Sequence, residues 1–203
     1  MKTTSLDLLK KSLVLLSTIM ITLLFSANVN AQITSAIDGP WSDPNTWDPM
    51  MVPGPGDNVI IDNNTLVTID VNNASCASLQ IGGAYAGALS FNTSSVLTVS
   101  GSFTIGGGSD PSQAGALTFT DGSGNTNGYL KVGGAFVITK LATFNRGVGT
   151  IEFNKSGAQT VPANSALGPY YNLTLSGSGI KATTAVQVYG VITMAGSATA
   201  SGA

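Results

Sequence analysis

Residues 97–105 read Leu-Thr-Val-Ser-Gly-Ser-Phe-Thr-Ile, and residues 130–138 read Leu-Lys-Val-Gly-Gly-Ala-Phe-Val-Ile. Laid one on the other without a gap, they share a scheme of apolar, any, apolar, any, Gly, any, apolar, any, apolar. Apolar residues at every second position mark a strand with one buried face. Each unit therefore reads as two short strands meeting at a corner. Gly101 or Gly134 stands at the bend, where a Cβ would obstruct it. Val186-Gln-Val-Tyr-Gly-Val-Ile-Thr-Met194 follows the same scheme around Gly190.

A second motif runs between these units. Gly87-Ala-Leu-Ser-Phe91 recurs as Gly115-Ala-Leu-Thr-Phe119 and, loosely, as Gly149-Thr-Ile-Glu-Phe153. The two motifs alternate along the chain, so the unit is one supersecondary turn of about 30 residues with loops of variable length. Other alternating segments, such as Asn58-Val-Ile-Ile61, Ser78-Leu-Gln-Ile81 and Tyr171-Asn-Leu-Thr-Leu175, are separated by Gly, Ser, Asn and Asp. No helical stripe of useful length interrupts them, and the chain reads as all-β. Turns that stack on matching turns predict a right-handed parallel β-helix, a β-solenoid, over residues 57–203. The alternative is a β-sandwich, which also uses many short strands but does not require a repeated motif.

The first 31 residues differ from the rest. Lys2, Lys10 and Lys11 precede an uncharged run from Ser12 to Phe25, followed by small or medium residues at Val29 and Ala31. A basic start, a short apolar stretch and a small residue at the cut predict a signal peptide over 1–31, cleaved before Gln32. The run is short for a membrane span, which needs ~20 residues. The expectation is a secreted or cell-surface protein with no span after cleavage. Residues 32–56, with Asp38-Gly-Pro-Trp-Ser-Asp-Pro-Asn-Thr-Trp-Asp-Pro49, are read as an N-terminal cap over the first rung. The chain stops just after an apolar unit at Met194, so it is expected to be a piece of a longer protein.

Composition narrows the chemistry. There is no histidine and one cysteine, Cys76. A Ser-His-Asp set, a Cys-His pair and a histidine zinc site are excluded, and no internal disulfide can form. Cys76 reads as a small buried apolar side chain. After residue 31 there are nine acidic and five basic residues. Eight Asp lie between Gln32 and Leu130 with no Lys or Arg, whereas Lys131, Lys140, Arg146, Lys155 and Lys181 follow with a single acid, Glu152. An acidic front half argues against nucleic acid, whose phosphates need a basic surface.

Several residues are candidates for binding. Trp41 and Trp47 are the two tryptophans. Exposed, they offer carbohydrate a stacking platform; packed over the first rung, they form the cap. Asp121, Ser123 and Asn125 place oxygen side chains at alternate positions, as at the start of a calcium loop, but Val132 stands where the later Glu would be. Asp and Asn also form turns without any metal, so no cofactor is assigned beyond this calcium candidate. Glu152 with Lys131, or Arg146 with Lys155, are the pairs from which a carbohydrate-cleaving face would be assembled; as solvated surface charges they need no such role.

Trp41-Ser-Asp-Pro-Asn-Thr-Trp47, Val52-Pro-Gly-Pro-Gly-Asp-Asn-Val-Ile-Ile61 and Leu66-Val-Thr-Ile-Asp70 resemble the opening of the glycine-rich, eight-glycine extracellular domain. The stretch from Ile151-Glu-Phe-Asn-Lys-Ser-Gly-Ala-Gln-Thr-Val161 through Tyr170-Tyr-Asn-Leu-Thr-Leu-Ser-Gly-Ser-Gly179 is similar to repeats of exported Bacteroidota surface proteins of the type IX secretion class. Together these stretches span most of residues 38–196. The linker Asp48-Pro-Met-Met51 lacks the glycine pair expected before Val-Pro, and no sorting domain follows within the chain. The resemblance implies an adhesin-like, surface-exposed β-helix stalk with no catalytic residues to carry over.

The expected function is thus a non-catalytic structural or adhesive region, not an enzyme, that meets extracellular polysaccharide or other cell-surface components. Its oligomeric state is not legible. The alternatives are a carbohydrate-binding module and the front part of a polysaccharide-degrading enzyme.

Overall fold

The computed structural model describes residues 32–120 and 124–202. The expected signal peptide, residues 1–31, lies outside the described residues. The chain is all-β, with several sheets and none closed. Among the described residues the helical segments are two short 3-10 pieces, Pro44–Thr46 and Pro111–Gln113, each capped by an Asp side chain that accepts a backbone N–H two residues on. That is the ordinary way Asp starts a turn.

Up to Phe153 the chain visits three sheets in rotation. The first holds Gln32–Ser35, Asn58–Ile61, Ser78–Ile81, Phe103–Ile105 and Phe136–Ile138 as consecutive parallel neighbours. The second stacks Gly39–Pro40, Thr65–Ile69, Gly87–Phe91, Gly115–Thr118 and Leu141–Asn145. The third stacks Ala74–Cys76, Val96–Val99, Tyr129–Val132, Thr150–Phe153, Asn172–Leu175 and Ile192–Met194. A fourth, smaller sheet joins Gln159–Thr160, Ser178–Ala182 and Ser197–Ser201. Between named strands the one antiparallel pairing is Trp47–Asp48 against Gln32–Ser35, at the edge of the first sheet. Parallel ladders joined by crossovers are not the antiparallel sheets of a β-sandwich, so that alternative fails on strand direction.

Period-two alternation decides what lies inside. In the third sheet Ala74, Leu97, Leu130, Ile151 and Leu173 occupy one column; Cys76, Val99, Val132, Phe153 and Leu175 occupy the next. All ten are buried. In the first sheet Ile33, Val59, Leu79, Phe103 and Phe136 form a comparable column. Aromatic rings stack from turn to turn, Phe103 meeting Phe136 edge-on at 4.8 Å and Phe91 stacking on Phe119 at 4.7 Å, and Phe136 reaches from the first sheet to Phe153 of the third at 5.9 Å. Each such side chain contributes roughly 1.5–3 kcal/mol by leaving water.

The two stretches quoted first lie directly on one another, Leu130 on Leu97, Val132 on Val99, Phe136 on Phe103 and Ile138 on Ile105. A Cβ on Gly134 would run into the backbone of Gly101 on the turn below. The glycine is needed there for close approach, since neither residue has a positive φ. Gly115–Thr118 lies in register on Gly87–Ser90. The third copy of each motif sits elsewhere. Ile192 and Met194 pair with Leu173 and Leu175 in the third sheet, not with the first sheet. Residues 150–153 pair with 129–132, not with Gly115–Thr118. An apolar–polar alternation fits any of the three sheets, so the pattern sets the buried face while the preceding corner sets the sheet.

Candidate functional site

The outward face of the third sheet collects the polar residues that the alternation leaves outside. Thr98, Lys131, Glu152 and Thr174 follow one another along a single column, because their strands pair in direct register. Lys131 Nζ lies 4.0 Å from Glu152 Oε2 and 5.5 Å from the centre of the Tyr129 ring. Ser176 Oγ donates to Glu152 Oε1, and the Tyr129 hydroxyl donates to Thr174 Oγ1 at 3.3 Å. Partial burial holds the Tyr129 hydroxyl above its ordinary pKa, with the nearby Glu152 charge adding to it. The strand register thus brings Lys131 and Glu152 together, as the sequence allowed. The face carries one carboxylate, whereas glycoside hydrolysis by the common routes uses two, about 5–9.5 Å apart. Arg146 and Lys155 take other places: the Arg146 guanidinium lies over the Tyr189 ring, and Lys155 lines an apolar groove with Phe136 and Ile180.

The tryptophans do not form a sugar platform. Trp41 and Trp47 are each 1% exposed, their rings meet edge-on at 5.0 Å, and Trp47 Nε1 donates to the Trp41 carbonyl at 3.0 Å. No indole face is left for a pyranose. The physical reason is the antiparallel return of Trp47–Asp48 onto Gln32–Ser35, which turns both rings into the core. Gln32–Ser35, inside the segment read as a cap, is itself a strand of the first sheet.

Of the calcium candidates, Asp121 and Ser123 lie outside the described residues. Asn125 is exposed and forms an isolated antiparallel bridge with Thr120. Among the described residues no three His, Cys, Asp or Glu side chains gather as a metal would need. The front-half carboxylates are engaged locally instead. Asp62 accepts the N–H groups of Asn63, Ala84 and Tyr85 at 2.6–2.9 Å. Asp38 accepts from Leu66, and Asp57 from Gly54. Asp70 accepts both the N–H and the hydroxyl of Ser42. In each case the carboxylate supplies an acceptor where a corner leaves the ladder.

Cys76 is buried at the start of its column. Burial, with the Asp57 charge adding to it, pushes the thiol up to about 12, so its reactive thiolate is not formed near neutral pH. Lys181 is a residue whose environment the sequence did not disclose. It is fully buried, and its ammonium donates to the carbonyls of Lys155 and Gly157 and to Gln159 Oε1 at 2.7–3.3 Å. Three donors meet three acceptors. Gln159 in turn donates to the carbonyls of Val132 and Gly134, tying the fourth sheet to the turn below it. Burial lowers the Lys181 pKa, and the Lys155 charge lowers it further.

A family model recognises the span that holds most of these interleaved parallel strands: the G8 domain matches residues 46–166. The chain belongs to the G8 domain family. The match runs from the end of the first 3-10 turn to just before Tyr170. It therefore takes in the buried Trp47, the two stacked motif pairs and the Lys131–Glu152 face. No curated protein and no solved structure matches the chain. Among the described residues no helix is long and apolar enough to cross a membrane.

Proposed function

We propose that this G8 domain chain is a non-catalytic structural or adhesive region of an exported cell-surface protein, built as a right-handed parallel β-helix of the eight-glycine type. The observation that carries the reading is the strand order. Up to Phe153 the chain returns turn after turn to the same three sheets in parallel, and beyond it Asn172–Leu175 and Ile192–Met194 continue the third sheet in alternation with the fourth, so buried columns and backbone ladders run from turn to turn without a disulfide. Crossovers between parallel strands of one sheet are right-handed in ~98% of cases, which favours that hand. Such a stack resists unfolding through neighbour-to-neighbour contacts and presents long outward faces, as a stalk requires. Export is supported by the basic and apolar start of the chain. The repeat-like back half favours a source among the Bacteroidota type IX proteins.

The adhesive side of the reading rests on outward faces of hydroxyl, amide and aromatic groups. The pairing of Asn58 with Ser78 in the first sheet, joined by a 2.6 Å side-chain hydrogen bond, is one example. The test is made on the intact producer. External protease and antibody should reach the protein on whole cells, and its exported form should begin at Gln32. A protein retained inside with Met1 in place would overturn the proposal, and release of reducing sugar from a polysaccharide by the purified protein would overturn its non-catalytic part.

A further inference from the structure

Arg146 is the single arginine of the chain, and it stands on a braced corner. Its carbonyl accepts the Gly149 N–H at 3.0 Å, closing a tight turn. Gly147 occupies the left-handed region at φ 47°, which a residue without a Cβ adopts at little cost. Asn145 Oδ1 accepts the Gly147 N–H at 3.1 Å. From this corner the guanidinium lies 4.1 Å from the centre of the Tyr189 ring. Tyr189 is held in turn, its N–H donating to the Tyr170 carbonyl at 3.1 Å and the next N–H, of Gly190, to the Tyr171 carbonyl at 2.7 Å. A guanidinium laid on an aromatic face keeps its planar edge of N–H donors for an acceptor. Among the described residues the one ion pair is Lys131–Glu152, so no described carboxylate pairs with Arg146.

Beside this group opens a cleft of about 270 Å³, lined by Arg146, Asn125, Asn145 and Tyr171 among others. It combines a fixed cation, two side-chain amides and an aromatic ring. It is small against the ~300–1,000 Å³ of typical ligand pockets, a size for one residue of a polymer.

We propose that this cleft binds the anionic group of an acidic sugar residue, a carboxylate or a sulfate ester, within an extracellular polysaccharide. Arg146 meets the anion with paired N–H donors, the geometry that suits planar and tetrahedral oxyanions. Tyr171 supplies apolar surface for the sugar ring, and the amides of Asn125 and Asn145 serve its hydroxyls. Tyr189 is a positioning residue that holds the guanidinium flat. The site gives the adhesive reading above its ligand and rests on that reading.

The experiment is titration calorimetry of the protein with polygalacturonate, dextran sulfate and uncharged dextran, with circular dichroism to show that each variant is folded. The expected result is binding to one of the charged polymers and none to dextran. Arg146→Gln should weaken it about tenfold or more, with a smaller loss for Arg146→Lys, which keeps the charge without the fork. Lys140→Gln removes the same charge away from the cleft and should leave binding unchanged. Whether polygalacturonate or dextran sulfate binds tells carboxylate from sulfate. Equal binding by wild type and Arg146→Gln, or equal losses in Arg146→Gln and Lys140→Gln, would overturn the site while leaving the adhesive reading standing. Absence of binding to all three polymers would also overturn the site; the adhesive reading itself fails on the separate test of cell-surface exposure.

Discussion

The first and last rungs of this protein are made from the same alternating segments yet end differently. At the front, the first sheet finishes in the antiparallel strand Trp47–Asp48, and two indoles 1% exposed fill the space beside Ile33 and Val59. At the back, Ile192 and Met194 occupy the same inward columns as Leu173 and Leu175 but are 59% and 46% exposed. The alternation therefore assigns a side to each residue, and burial comes only when a further element covers that side. An edge is covered either by another parallel turn or by a strand that reverses direction.

That contrast is easiest to break with truncations. Trp47→Ala should cost about 3–5 kcal/mol, the loss typical of a large buried aromatic, whereas Met194→Ala should stay within about 0.5 kcal/mol. Urea unfolding of the two variants measures both, and equal losses would mean that the front is not closed as described. A smaller effect, about 1–3 kcal/mol, is expected for Asp62→Ala, which leaves the Asn63, Ala84 and Tyr85 N–H groups without their shared acceptor.

The same two regions differ in how much the sequence discloses. The pairing of 97–105 with 130–138 is readable because apolar spacing and the corner glycine recur together, and the corner fixes which sheet each half enters. The third copy, around Gly190, keeps the spacing but follows a different corner: Asn172 Oδ1 accepts the Val191 N–H and guides the chain onto Asn172–Leu175. Nothing in period-two spacing carries that information. Likewise Trp41 and Trp47 read equally well as a platform or as core until the reversal of Trp47–Asp48 is known. The Lys131–Glu152 pair was accessible as a residue choice but not as a distance, which depends on the register of two strands. Arg146 and Tyr189 meet through a fold-back that leaves no motif in the chain.

Lys181 sharpens the comparison from the electrostatic side, since the front core contains no buried amine of this kind. Its folded pKa lies below the ordinary 10.5, so between the lowered value and 10.5 the unfolded chain binds more protons than the folded one. Stability therefore rises with pH through that window. Lys181→Met keeps the length without the charge. It should flatten this rise and cost about 1–3 kcal/mol near neutral pH, because the carbonyls of Lys155 and Gly157 and Gln159 Oε1 lose their shared donor. Thermal melts of both forms across that range check the sign. The smallest effect is expected at the surface: Lys131→Ala, which removes the exposed side of a 4.0 Å pair, should change stability by no more than about 1 kcal/mol.

The stacking itself is tested most directly by distance along one outward column. Thr98, Lys131, Glu152 and Thr174 follow each other on successive strands of the third sheet. Paired spin labels at 98/131, 98/152 and 98/174 should therefore report backbone separations rising by one strand spacing each time, about 5, 10 and 14 Å. Dipolar broadening that falls steadily through these three pairs is the predicted result. Broadening that is strong for 98/174 or absent for 98/131 would contradict the parallel, in-register stack on which the account depends.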